Sequence, residues 1–130
     1  MTYFERELYR DPDQDLNRLW WSFVKKFQKI ESSGSSSVYD WAAKVHIGLA
    51  PVYYFSYLLG EMFASAIVES LEKETGSRDL ATPAAGQFLQ TKLFAPGNRK
   101  SWSELIADVT GEPLNSGAWM REFAQVKGRV

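Results

Sequence analysis

The 130-residue sequence predicts an all-α fold of five or six helices packed around one long apolar helix at about 51–75. Apolar residues recur at helical spacing, and helix-start and helix-stop signals punctuate the chain at matching intervals. No segment alternates apolar and polar residues over the length that a half-buried strand needs. A chain of this length is expected to form a single helical domain over 1–130.

The elements are expected as follows. Tyr3 to Tyr9 reads as one or two helical turns. Asp11-Pro12 has the form of an N-cap followed by proline at the first helical position, where the missing N–H costs nothing, so a helix should begin there. Leu16, Leu19, Trp20, Phe23, Val24, Phe27 and Ile30 then trace its apolar stripe. The run ESSGSSS at 31–37 has no side chains for a core and should be a flexible connector. A helical region from Val38 to Ile47 leads through Gly48 and Pro51 into the long apolar segment, which Gly76 should stop. A helix apolar on most sides is either enclosed by other helices or in lipid. The uncharged run before Glu61 is shorter than the ~20 residues a bilayer requires, so no membrane is expected. Thr82-Pro83 repeats the cap-and-proline start for a helix through Phe88, Leu89, Leu93 and Phe94, ended by Pro96-Gly97. Ser101 and Glu104 form a capping box opening a helix through Leu105, Ile106 and Val109 that Gly111 stops. A last short helix should follow Ser116 and carry Trp119, Met120, Phe123 and Val126.

Composition excludes several functions. Fifteen Lys and Arg against sixteen Asp and Glu leave a net charge of −1, so nothing draws the whole chain to nucleic acid. The absence of Cys removes disulfides, thiolate nucleophiles and thiolate metal sites, and a single His removes paired-His zinc motifs. The opening MTYFERELYR has mixed charge and lacks the basic start and apolar block of a signal peptide, and no feature of the chain specifies a compartment. The aromatic fraction is high, 15% with five Trp, which in a short chain implies either a dense core or a surface meant to be covered; the second is expected here.

No self-sufficient catalytic motif is present: neither G-x-x-x-x-G-K, nor H-E-x-x-H, nor a carboxylate loop spaced for a metal. What stands out is a cluster running from Lys44 and His46 to Tyr53, Tyr54 and Tyr57. An ammonium, an imidazole and three phenols can hold a carboxylate or a developing oxyanion, and supply no nucleophile. Tyr53 and Tyr57 are one helical turn apart, and Tyr54 reaches the same face through Tyr57 at three residues. On composition alone the ordinary readings are a buried His46 bonded to backbone, core tyrosines with satisfied hydroxyls, a solvated Lys44, and a Glu61 paired within a helix bundle.

At these residues the chain resembles a family of helical zinc peptidases. Ala43-Lys44-x-His46-Ile47 followed by Tyr53 is similar to the segment after the zinc site in angiotensin-converting-enzyme-like dipeptidyl carboxypeptidases. Tyr57-Leu58-x-x-Glu61-x-Phe63 resembles the corresponding helix of thimet oligopeptidase and oligoendopeptidase F relatives. Asp13 to Asn17, Leu19-Trp20-Trp21, Ala85 to Leu89, Ser101-Trp102 and Val109-x-Gly111 agree in family order, so the resemblance covers nearly the whole chain.

That resemblance implies the C-terminal catalytic subdomain of a gluzincin peptidase. His46 would bond substrate backbone or the tetrahedral intermediate. Tyr57, or its rival Tyr54, would stabilise the oxyanion. Lys44 and Tyr53 would hold the C-terminal carboxylate of a peptide substrate, which favours release of dipeptides. Zinc would belong to the complete enzyme, with no metal ligand in this chain, since the H-E-x-x-H motif lies upstream in the family and is absent here. The resemblance therefore implies a C-terminal fragment, inactive alone, whose exposed aromatic face would be covered by the missing N-terminal portion or by a second copy. The alternative reading is a stand-alone helical protein-interaction module derived from the peptidase fold.

Overall fold

The computed structural model of the chain describes residues 1–32 and 39–124. Positions 33–37 of the expected Ser-rich connector, together with Val38 and Val126, lie outside the described residues. Among the described residues there are seven α-helices and no strand: α1 (Thr2–Arg10), α2 (Leu16–Gln28), α3 (Val45–Gly48), α4 (Phe55–Thr75), α5 (Pro83–Phe88), α6 (Trp102–Thr110) and α7 (Gly117–Ala124), with a π-helical segment, Leu89–Phe94, continuing α5. The all-α class is as expected; α1 is a full helix, and of the helical region expected at 38–47 only the part from Val45 is helical among the described residues.

Two compact units are distinguished, Met1–Tyr57 and Leu58–Val130, each with its own apolar cluster. The buried apolar residues thus gather in two clusters, one in each unit. Only Ser65, Ile67 and Leu71 of α4 are buried, whereas Phe55, Tyr57 and Leu58 near its start are exposed. The helix also begins at Phe55 rather than near 51, because Pro51 and a left-handed Val52 keep the preceding residues in turns. No helix among the described residues is long and apolar enough to cross a membrane.

In the first unit, α2 starts at Leu16 rather than at the Asp11-Pro12 pair that carries the earlier cap signal. Asp15 is the N-cap and its side chain accepts from Arg18 N at 2.9 Å. Asp11 instead closes α1, donating its N–H to Glu7 O at 3.0 Å, and the Gln14 amide donates to Glu7 O and Asp11 O. Both aspartates suit a cap; the second wins because α1 extends to Arg10 and consumes the first. Lys29, with φ 61°, ends α2, so Ile30 falls beyond the stripe and is exposed along with Phe27. The core is Phe4, Trp20 and Val24, with Leu8, Leu16, Leu19, Trp41 and Ile47 against it. Phe4 meets Trp20 edge-on at 5.2 Å and Trp41 at 5.6 Å, a geometry that suits the aromatic quadrupole.

The second unit packs Ile67, Leu71, Ala85, Phe88 and Ile106 together. Its caps follow the sequence. Thr82 accepts from Ala85 N, Ser101 and Glu104 exchange the reciprocal bonds of a capping box, and Gly76 and Gly111 stop α4 and α6 at φ 74° and 81°. The helix from Thr82-Pro83 widens after Phe88, where Ala95 N bonds back to Gln90 O at 2.8 Å, five residues earlier. Thr91 Oγ1 donates to Gln87 O at 2.8 Å and so satisfies a carbonyl beside the widened stretch.

Glu69 on α4 receives Lys73 at 2.8 Å and a forked Arg121 from α7 at 2.8–3.0 Å. The Lys73 and then the Arg121 hydrogen bonds hold its carboxyl below the ordinary glutamate value of 4.5. A depressed carboxyl stabilises the fold fully above that ordinary value and stops doing so as pH falls through the lower folded-state value. The stability difference between wild type and Glu69→Gln should therefore be about 1 kcal/mol or less near neutrality, as for partly exposed pairs. It should close in denaturant titrations run at pH values successively below 4.5; a difference that grows in acid contradicts the assignment.

Candidate functional site

The candidate cluster lies entirely within the first unit. Lys44 is the N-cap of α3, with extended backbone, and Ile47 N bonds to Lys44 O at 2.9 Å. His46 follows within that four-residue helix, and Leu49 N and Ala50 N both close on Val45 O. Tyr53 and Tyr54 precede α4 and turn into it, with Ser56 N donating to Tyr53 O at 3.0 Å and Tyr57 N to Tyr54 O at 3.4 Å. The turn, not a continuous helix, thus gives the three tyrosines their common face.

His46 Nε2 and Tyr57 Oη lie 3.1 Å apart, a hydrogen bond. The imidazole meets Tyr54 edge-on at 5.0 Å and Tyr57 at 5.5 Å, and Tyr57 meets Tyr53 at 5.7 Å and Tyr54 at 5.6 Å. The ordinary composition-based readings do not hold for these groups. The tyrosines are 41–54% exposed, far from core packing, and His46 is only partly buried with a phenol as its partner. Glu61 is exposed rather than enclosed in a bundle.

Four of the five expected site residues are therefore in mutual contact: His46, Tyr53, Tyr54 and Tyr57. Lys44 is exposed and stands apart, its ammonium over the Trp20 ring at 5.9 Å. Two residues that spacing does not indicate also bear on the cluster. Glu5, buried on α1, accepts from the Val52 N–H. Trp20 supplies the face on which Lys44 rests. Neither has a local signal, since 47 residues separate Glu5 from Val52.

Chemically, the cluster can donate hydrogen bonds to an oxygen anion. The phenol has one proton. When His46 carries its proton on Nε2 and donates to Tyr57 Oη, the Tyr57 O–H is left to point outward, and accepting a hydrogen bond strengthens what it donates. With the proton on Nδ1, the Tyr57 O–H is spent on His46 instead.

A family model described as carboxypeptidase Taq (M32) metallopeptidase matches residues 44–126, well over half of the chain and the whole of the cluster. The chain belongs to this metallopeptidase family. The match is to that metallopeptidase family and not to the converting-enzyme-like or oligoendopeptidase F relatives that individual segments resemble. No curated protein and no solved structure matches the chain.

The described residues do not fit a catalytic metal. Among the described residues no three His, Cys, Asp or Glu side chains converge where an ion could sit. The one imidazole of the sequence has its Nε2 engaged with Tyr57.

Proposed function

We propose that this chain is the donor portion of a zinc metallopeptidase of the carboxypeptidase type, holding the C-terminal end of a peptide and stabilising the oxyanion formed at its scissile carbonyl. The metal ligands would be supplied by residues beyond these 130. The observation that carries the reading is the exposed Tyr57, its Oη bonded to His46 Nε2 within the matched segment.

In this reading Tyr57 donates to the developing oxyanion, His46 orients and polarises that phenol, and Tyr54 limits the tilt of the imidazole through its edge contact. Tyr53 and Lys44 bind the substrate's terminal carboxylate. Lys44 must leave Trp20 to do so, at a cost of about 0.5–1 kcal/mol for an exposed cation–π contact. A charge-assisted bond to carboxylate offsets that readily. Removal of dipeptides, rather than single residues, is the finer form of the proposal, and it asks Lys44 and Tyr53 to hold the carboxylate two residues beyond the scissile bond.

Assayed alone with added zinc, the chain should cleave neither free-ended nor C-terminally amidated peptides. Joined to a metal-bearing segment of the same family, it should cleave the free-ended peptides and spare the amidated ones, with product masses giving the number of residues released. Cleavage by the chain alone that survives repurification and is lost in His46→Ala overturns the donor-portion reading, and equal cleavage of both peptide types overturns carboxylate recognition. The exposed rings of Tyr53 and Phe55 support a second reading, an interaction module, which predicts no activity in the joined protein.

A further inference from the structure

We infer that Glu5, on a helix outside the family-matched residues, is the positioning residue of the His46–tyrosine cluster: its buried carboxyl group holds Val52 in a left-handed turn and so sets the direction in which Tyr53, Tyr54 and Tyr57 leave that turn. This inference rests on the proposed function for its purpose, and on geometry for its substance.

Val52 has φ 56°, a region that a β-branched residue enters only when its surroundings hold it there. Its side chain is largely open to solvent, 59% exposed, and so has little packing to restrain it. What does hold it is its N–H, donated to Glu5 Oε1. Glu5 is 5% exposed, next in sequence to the fully buried Phe4, so its position is fixed by the core of the first unit. The strained residue is followed at once by Tyr53 and Tyr54, whose carbonyls start α4 and whose rings pack on Tyr57. On the other side of the turn, Ile47 packs against the same core as Phe4, which anchors the residue following His46. The Glu5 acceptor thereby fixes the second arm of the cluster relative to the first, and the 3.1 Å bond between His46 and Tyr57 depends on both arms.

The position of Glu5 outside 44–126 gives this a further meaning. The matched segment contains the donors but not the group that holds their turn. That group comes from α1.

The test uses the full chain, free of substrate, by nuclear magnetic resonance. Glu5→Ala should speed hydrogen exchange at the Val52 amide by about tenfold or more. It should also move the ring resonances of His46, Tyr54 and Tyr57 toward their values in short peptides. Glu5→Gln keeps an acceptor oxygen and should preserve the ring shifts. Val52→Gly, which adopts positive φ freely, should restore them in the Glu5→Ala background. Should Glu5→Ala fail to fold, folding regained in Glu5→Ala/Val52→Gly supports the inference, and continued failure overturns it. A Glu5→Ala protein that melts earlier yet keeps the wild-type ring shifts also overturns it, because Glu5 then serves stability alone. If the shifts respond as expected while Tyr57 proves irrelevant to turnover in the joined peptidase, the functional reading fails and the positioning role of Glu5 stands.

Discussion

Replacing Tyr57 by Phe should lower kcat of the metal-complemented peptidase about a hundred- to a thousandfold, the usual consequence of losing one donor to a developing oxyanion. KM should change only a fewfold, since in the proposed role the interaction would be made mainly in the transition state. Tyr57 is expected to matter more than Tyr54 because only Tyr57 has its hydroxyl on the imidazole, at 3.1 Å, whereas Tyr54 meets the ring through its edge. Tyr54→Phe keeps that edge contact and should therefore cost a fewfold at most. His46→Ala and the double variant His46→Ala/Tyr57→Phe should be strongly non-additive, because in the proposed role the two side chains would act as one unit. The reverse order, with Tyr54→Phe crippling and Tyr57→Phe mild, would transfer the oxyanion role to Tyr54.

Truncating Phe4 to Ala should cost about 3–5 kcal/mol, the range for an aromatic side chain removed from a closed core. Phe4 is fully buried, and its loss leaves Trp20 and Trp41 without the ring they meet at 5.2 and 5.6 Å. A three-residue buried cluster has little capacity to collapse around such a gap. Denaturant melts followed by tryptophan emission read the effect. Phe27→Ala, which removes a half-exposed ring stacked on Tyr3, should cost about 1 kcal/mol and serves as the comparison. A Phe4→Ala protein as stable as Phe27→Ala would mean that the first unit is not held together by this core.

Local signals are the legible part of the fold. Ser101 with Glu104, Thr82 with Pro83, and the glycines at 76 and 111 each mark a boundary where the structure has one, because a cap is a contact among near neighbours. The start of α2 is not legible in the same way, because Asp11 and Asp15 carry the same chemistry and only the length of α1 decides between them. The widening at Leu89–Phe94 has no sequence mark at all: the same Leu89 and Leu93 serve an α-helical stripe equally well. Amphipathic spacing also indicates which side of a helix is apolar without saying what covers it, so the division of the buried residues between two clusters has no mark in the sequence.

At the candidate site the same division holds. Tyr53, Tyr54 and Tyr57 are neighbours by spacing, and His46 joins them across a short turn. Lys44 is expected to share a carboxylate with Tyr53, but the structure turns it onto Trp20, a distant partner in the chain that no local pattern announces. Val52 offers the opposite of a signal, since valine is among the residues least suited to positive φ.

The rings and methyls left facing water have a practical consequence at the bench. Leu49 is 84% exposed, and Phe55, Tyr57 and Trp102 are each roughly half so. Such a surface should light up environment-sensitive dyes while every helix is intact, so their fluorescence will start high and fall or stay level on heating instead of rising. Melting of this protein is better followed by circular dichroism than by a dye-based thermal shift.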